Sequence, residues 1–244
     1  MNIGIIGKKR MGTALVAAVK NHPDLTIVGQ IGREGNLLDF LTKTDVVIDF
    51  SSPDTSLLFV MTCDTYNRPL VLGTTGQSEE VLGTIDKLSL KIPVIMATNF
   101  SVGANLLFWL AQKSAEILGP NYDPEIVEVH HRLKKDAPSG TAKTLAGALG
   151  TIRQSQLDAP AMFRRGREGI TGERNPREIG IHSVRGGSVV GDHTVMFLGG
   201  TEAVKLSHEA FSREVFADGA LRAARWVVKQ KPGLYDMQDV LGLK

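Results

Sequence analysis

Five of the six positions from 130 to 135, His130-His131-Arg132-Leu133-Lys134-Lys135, can carry positive charge, and two of them can also move a proton near neutral pH. The preceding run Ile126-Val127-Glu128-Val129-His130 has the alternation of a strand. A period of two sets Glu128 and His130 on one face and Val127, Val129 and His131 on the other. Asp136-Ala137-Pro138-Ser139-Gly140-Thr141 then reads as a turn and a helix start, with Ser139 or Thr141 as N-cap and Ala142, Leu145, Ala146 and Leu149 as an apolar stripe. A helix opened by Ser139, Gly140 and Thr141 offers backbone N–H groups and hydroxyls to a carboxylate or phosphate. A His-His pair followed by Arg and Lys is, alone, more often a solvated strand exit than an active site. The helix start beside it shifts that balance towards a clamp for a small dianion.

The elements that must position this stretch belong to an ordinary globular chain. It has 244 residues, 42% hydrophobic and 22% charged, enough to bury one large or two small cores. A formal charge of +2, evenly spread, argues against nucleic acid as the main partner. The single cysteine, Cys63, excludes a disulfide framework and zinc-type Cys/His spacing, which fits a reducing cytoplasm. Neither a secretory leader nor a membrane-spanning run is legible. His182, His193 and His208 have no carboxylate or cysteine at ligand spacing, so they read as packing or hydrogen-bonding residues and no metal is expected. Arg185, before two glycines, is a candidate to join the anion site.

The first hundred residues alternate apolar strands, at 2–6, 25–28, 46–49, 70–72 and 93–97, with segments long enough for helices. The first strand runs through Gly7-Lys8-Lys9-Arg10-Met11-Gly12 into a helix, the start of a dinucleotide fold with its middle glycine missing. The other strand exits are Gly32-Arg33-Glu34, Phe50-Ser51-Ser52, Gly73-Thr74-Thr75-Gly76 and Thr98-Asn99-Phe100-Ser101. Ligands of open α/β sheets bind beyond the carboxyl ends of the strands, where these small, hydroxyl and amide residues would lie. A dinucleotide site is therefore expected. Arg33 after Gly32, with Lys8, Lys9 and Arg10 nearby, leans towards the 2′-phosphate of NADPH, although Glu34 could still reach the ribose of NADH.

Beyond residue 101 the alternation stops. A helix at 102–118, the focal strand, a helix at 141–149 and strands at 179–185, 189–198 and 203–208 predict a sheet with helices on one side. The basic stretch around Arg164-Arg165-Gly166-Arg167 reads as loop, subunit contact or lid, and 211–229 as a final amphipathic helix. The fold class expected is α/β: a Rossmann-like doubly wound parallel sheet at the N-terminus, plus a C-terminal α+β substrate and oligomerisation domain with an open mixed sheet. The domains expected are 1–100, completed by about 212–244, and 101–211.

The run from Glu128 to Ala142 closely resembles dihydrodipicolinate reductase of the bacterial diaminopimelate and lysine pathway. Gly73-Thr74-Thr75-Gly76, Asn99-Phe100-Ser101-Val102-Gly103, Thr171-Gly172-Glu173-Arg174 and the ending from Gly233 to Leu241 support the resemblance, which covers essentially the whole chain. It implies that His130 is the general acid/base, that Lys134 donates a proton or stabilises charge, and that His131, Gly140 and Thr141 hold substrate carboxylates. It places Gly7, Arg10, Met11, Arg33, Gly73, Thr75, Thr98 and Phe100 at the nicotinamide cofactor, to which the strand exits add Lys8, Lys9, Ser51, Thr74 and Asn99. It also implies a homotetramer built through the second domain's sheet. The chain departs from the family in its first loop, one residue shorter and poorer in glycine, and at Gly32, where an acidic residue is common. Those departures bear on cofactor preference.

The reaction implied is NAD(P)H-dependent reduction of a cyclic dicarboxylate, 4-hydroxy-tetrahydrodipicolinate, with loss of water. Closure of the two domains on binding both ligands is expected. Two rivals come from other classes: a hydrolase using Ser139 with His130 and Asp136, although no nucleophile elbow surrounds it, and a non-catalytic NADP sensor, against which the basic cluster argues.

Overall fold

Strands of a parallel sheet covered on both faces can be apolar throughout, and the early part of the chain is built from such strands. In the computed structural model, which describes residues 1–32 and 37–244, they alternate with helices: β1 (Asn2–Ile6), α1 (Arg10–Val19), β2 (Thr26–Ile31), α2 (Leu37–Thr42), β3 (Val46–Asp49), α3 (Pro53–Thr65), β4 (Leu70–Leu72), α4 (Glu79–Ser89) and β5 (Pro93–Met96). There follow α5 (Val102–Leu118), β6 (Asp123–His130), α6 (Gly140–Leu157), β7 (Met162–Arg164), β8 (Glu178–Arg185), β9 (Gly191–Leu198) and β10 (Ala203–Ala210). The chain ends with α7 (Glu214–Val227), β11 (Gly233–Tyr235) and α8 (Met237–Leu241). Two compact units result, Met1–Val102 with Arg213–Lys244, and Gly103–Ser212.

The first unit holds a six-stranded sheet of order β11-β5-β4-β3-β1-β2, with every pairing parallel. Val46 and Ile48 pack on one face with Leu15 of α1 and Ala220 and Leu221 of α7, while Val47 packs on the other with Phe59 of α3 and Ile85 of α4. From β1 the chain steps to β2 on one side and then continues through β3 on the other. Adjacent β1 and β3 therefore form the switch point at which such sheets bind ligands.

The second unit is a mixed sheet of order β10-β9-β6-β8-β7, with β6 parallel to β8 and antiparallel to β9. Leu107 and Phe108 of α5 and Leu145 and Leu149 of α6 cover one face, against Ile126, Ile181, Val195 and Phe197. The opposite face carries Val127, Val129, Val184, Met196 and Leu198, all half-buried or exposed. Among the described residues no helix is long and apolar enough to cross a membrane.

The expected fold class is the one observed. Most element bounds shift by a few residues, and the largest departures from the pattern read in the sequence are one long helix and two short strands. Helix α6 runs to Leu157 rather than stopping at 149, because tertiary packing outweighs the low propensity of Gly147 and Gly150. The short β7 falls inside the stretch read as loop, and its three exposed residues give no alternation to read. The tail contributes β11, whose parallel pairing with β5 is a long-range contact invisible to local pattern.

Candidate active site

Strand β6 alternates as its sequence dictates, so Ile126, Glu128 and His130 share the face covered by the helices, and all three are buried. Glu128 is wholly enclosed and satisfied from several sides. Arg185 on β8 donates to both of its oxygens, at 2.8 and 2.7 Å, and the Ser139 N–H donates at 3.1 Å. The His130 imidazole meets the same carboxylate through Nδ1. His193 on β9 stands edge-on to His130, ring centroids 5.1 Å apart, and its Nε2 lies 3.0 Å from Ser139 Oγ. Strand β9 passes close beside this pair because Gly191 has no side chain there: a Cβ would lie 3.1 Å from His130 Nε2.

The electrostatics follow from this enclosure. Burial works against the charge on Glu128, but Arg185, Ser183, His130 and the Ser139 N–H more than offset it and hold the carboxyl down to about 2. Burial pushes the His130 imidazole below its ordinary value; Glu128 opposes the shift, and Lys134 and Arg185 add to it. His193, deeper and beside His130, is pushed down to about 3, chiefly by burial. An imidazole whose Nδ1 rests on an anchored carboxylate can take up and pass on a proton at its other nitrogen.

Ser139 caps α6 with its hydroxyl, which accepts from Ala142 N–H at 3.1 Å. Its Oγ faces His193 rather than His130, no nucleophile elbow surrounds it, and Asp136 sits on Lys134 at 2.9 Å, so the Ser139-His130-Asp136 constellation of the hydrolase reading is not assembled. Gly140 is exposed, with open space where a side chain would stand, and Thr141 is buried beside it. His131 follows the end of β6, its N–H bonded to the Val189 carbonyl at 2.8 Å. Thus Ser139 shares Glu128 with His130, Lys134 is near enough to act on the His130 charge, and Gly140 and Thr141 follow Ser139 at the start of α6.

Some expectations need correcting. Arg185 is no free anion ligand, because its fork is committed to Glu128 and to the Asp136 carbonyl at 2.9 Å. In the basic stretch, Arg167 and Arg174 bind Glu125 at 2.9 and 3.2 Å, Arg174 also reaches Asp123 at 2.7 Å, and Arg167 meets Glu178, so these cations pin the segment to its own sheet. His182 joins them on Glu125 at 2.7 Å. Glu128, His130 and His193 bring donor atoms within 4.8 Å, the one such trio among the described residues. Arg185 occupies both oxygens of that glutamate, so the trio is not arranged for a cation.

In the first unit a cleft of about 530 Å³ opens at the β1/β3 switch point, lined by Gly7, Lys8, Lys9, Gly32, Phe50, Ser51, Ser52, Asp54 and Thr55. Gly7 takes φ +113°, and a Cβ on Gly12 would collide with the Gly7 carbonyl, so two glycines of the dinucleotide turn keep their function although the middle one is missing. Helix α1 starts there with Arg10 and Met11, with no side-chain cap and no acid in its first turn. Gly73 abuts Phe50, and Thr74 joins Ser51 N–H at 2.9 Å and Asp49 at 3.2 Å. Thr75 and Thr98 are exposed, Asn99 accepts from Ser101 N–H at 2.8 Å, and buried Phe100 lies edge-on to Phe50. Arg33 lies outside the described residues. Sequence reasoning missed Asp49, a buried acid that collects Ser51 N–H, Thr74 and Ser56; its signal was an acid ending an apolar strand.

Both parts of the chain match models of one family, dihydrodipicolinate reductase: the N-terminus over residues 1–100 and the C-terminus over residues 103–241. The chain belongs to the dihydrodipicolinate reductase family. A 4-hydroxy-tetrahydrodipicolinate reductase from Akkermansia muciniphila is 48% identical over 241 residues, covering 98% of this chain and 96% of the relative. One from Thiobacillus denitrificans is 47% identical, covering 96% and 90%. The fold is similar to that of a dipicolinate-bound dihydrodipicolinate reductase from Paenisporosarcina sp. TG-14, with a TM-score of 0.77 at 26% identity over 98% of each chain. Within this reductase family, the buried Glu128-His130 pair and the switch-point cleft are the two features that call for a chemical account.

Proposed function

We propose that this chain reduces 4-hydroxy-tetrahydrodipicolinate to tetrahydrodipicolinate, with loss of water and oxidation of a pyridine nucleotide, in diaminopimelate and L-lysine biosynthesis. What carries the reading is a proton-moving histidine, His130, joined to Lys134 and an anion-binding helix start in a chain of the reductase family. One hydroxy-substrate, one reduced nucleotide and one proton give tetrahydrodipicolinate, water and the oxidised nucleotide. The nucleotide, when bound, supplies the hydride. The chain's residues do the rest: His131, Ser139, Gly140 and Thr141 with Lys134 hold and neutralise the two carboxylates, and His130 or Lys134 delivers the proton that lets hydroxide leave as water or that the ring nitrogen needs.

The unit Met1–Val102 with Arg213–Lys244 is read as the dinucleotide-binding domain, and Gly103–Ser212 as the substrate-binding and oligomerisation domain. The open start of α1, the tight Gly7-Gly12 turn and hydroxyls at the cleft fit a pyrophosphate, with Gly7, Lys8, Lys9, Arg10, Met11, Ser51, Gly73, Thr74, Thr75, Thr98, Asn99 and Phe100 as the contacts proposed. NADPH is the cofactor preferred over NADH. Lys8 runs along Gly32, its Cδ 3.6 Å from where a side chain would begin, and Arg33 is next in sequence, so Lys8 brings a cation to the β2 exit, where NAD enzymes place an acid. Buried, unpaired Cys63 suits a cytoplasmic enzyme. The half-exposed apolar face of the second sheet is proposed to pair with other copies in a homotetramer.

The test follows the loss of reduced-nicotinamide absorbance, with the unstable substrate generated in situ by its upstream synthase, using NADPH and NADH in parallel. Turnover with a lower KM for NADPH is expected. No substrate-dependent oxidation of either nucleotide overturns the reaction, and a lower KM for NADH overturns only the preference.

A further inference from the structure

The groups behind His130 are arranged more exactingly than a core histidine needs. Glu128 is fully enclosed, its two oxygens taken by the Arg185 fork at 2.8 and 2.7 Å, with one also accepting from the Ser139 N–H at 3.1 Å. An ionised carboxylate only accepts hydrogen bonds, so the His130 nitrogen that meets it, Nδ1, must carry the proton. Nε2 is then the atom left to exchange a proton with a ligand, and Gly191 keeps space beside it. The remaining charged and titratable groups around His130 are Lys134 on the following loop, Arg185 on β8 and His193 on β9, with His208 on β10 beyond His193. Among these neighbours Glu128 alone is an anion, so it sets the tautomer and opposes the loss of charge that burial and the cations impose.

We propose that Glu128, clamped by Arg185, is the positioning residue of this site: it fixes His130 as the Nδ1–H tautomer and directs proton exchange through Nε2. The proposal rests on the reading of His130 as the acid/base. Neither Glu128 nor Arg185 needs to touch substrate for it to hold. Arg185 acts at one remove, keeping the carboxylate ionised and unable to rotate.

Glu128→Gln tests it, because the amide can donate to Nδ1 and reverse the tautomer while keeping nearly the same volume. The expected result is a kcat lower by about 10²- to 10⁴-fold with substrate KM nearly unchanged, the range a positioned general acid/base contributes and a wrong tautomer forfeits. The pH–kcat limb belonging to His130 moves to lower pH, since a negative charge that favoured the imidazolium is gone. Glu128→Asp keeps the charge and holds the limb near its wild-type position even as kcat falls. In a double-mutant cycle, adding Glu128→Gln to His130→Gln costs nothing further. The proposal is overturned if Glu128→Gln leaves kcat and the limb where they were, or if the two losses multiply. His130→Gln with normal turnover defeats the acid/base reading instead, so the two failures are distinguishable. A second measurement needs no variant: imidazole nitrogen NMR shifts of the folded wild-type protein should show His130 protonated at Nδ1, and a proton on Nε2 alone overturns the assignment.

Discussion

At the scale of single residues, the proposed chemistry rests on His130 and Lys134, which differ in what holds them. His130 is locked from behind by Glu128, whereas Lys134 rests on the exposed carboxylate of Asp136 and can leave it for a ligand. We expect His130→Gln and Lys134→Ala each to lower kcat by at least about a hundredfold while nucleotide binding, followed by fluorescence titration, persists. Near-normal turnover in both would remove these residues from the mechanism. His193 carries a different prediction. Its pKa falls from an ordinary 6.5 to about 3 in the folded chain, so between those values the unfolded chain binds the extra proton and stability declines as pH falls. The group contributes a slope of up to about 1.4 kcal/mol per pH unit in that window. Denaturant unfolding of His193→Gln between pH 4 and 6 should show a shallower acid loss than wild type, and identical slopes would refute the assignment.

At the scale of elements, two devices set the sites. Helix α6 begins where its cap, Ser139, is held by both Glu128 and His193, so the helix start and the histidine pair are one assembly. In the first unit Asp49 ties the loop after β3 to the loop after β4, through Ser51 N–H at 2.8 Å and Thr74 at 3.2 Å. Burial raises the pKa of Asp49 while hydrogen bonds from Ser51, Thr74 and Ser56 oppose the rise, a sign of a carboxylate retained to organise its surroundings. Asp49→Ala should therefore weaken nucleotide binding by about tenfold and leave kcat at saturating nucleotide little changed, in line with the cost of removing a group that orients ligand contacts. Calorimetric titration checks this, and an unchanged dissociation constant counts against it.

At the scale of the whole molecule, helices cover the second sheet on one face only, and the basic stretch covers just the Glu125 end of the other. Val184 and Leu198 remain 46% and 37% exposed, and Val127, Val129 and Met196 lie around them. If other copies cover this face, Leu198→Lys should shift the mass measured by light scattering from four chains towards fewer and make the unfolding midpoint depend more steeply on protein concentration. A wild-type chain that runs as a monomer would dispose of the tetramer outright.

Much of this was written locally in the chain. Strands β3, β4 and β5 are near-continuous apolar runs because both their faces are buried. The phase of Glu128 and His130 follows from strand periodicity, and the cap at Ser139 from the hydroxyl that precedes a helical stripe. Types and short spacings determine such features, so the focal stretch could be read as a site from residues alone. Partners at long separation could not. Arg185 was expected to bind an anion from outside, and instead binds Glu128, 57 positions away; His193 was expected to pack or hydrogen-bond with no partner legible, and that partner is Ser139, 54 positions away. Arg167 and Arg174 likewise found internal carboxylates. A charged side chain reads the same whether it faces solvent, substrate or a buried ion pair. Only the pairing of β6 with β8 and β9 decided which of these each one meets.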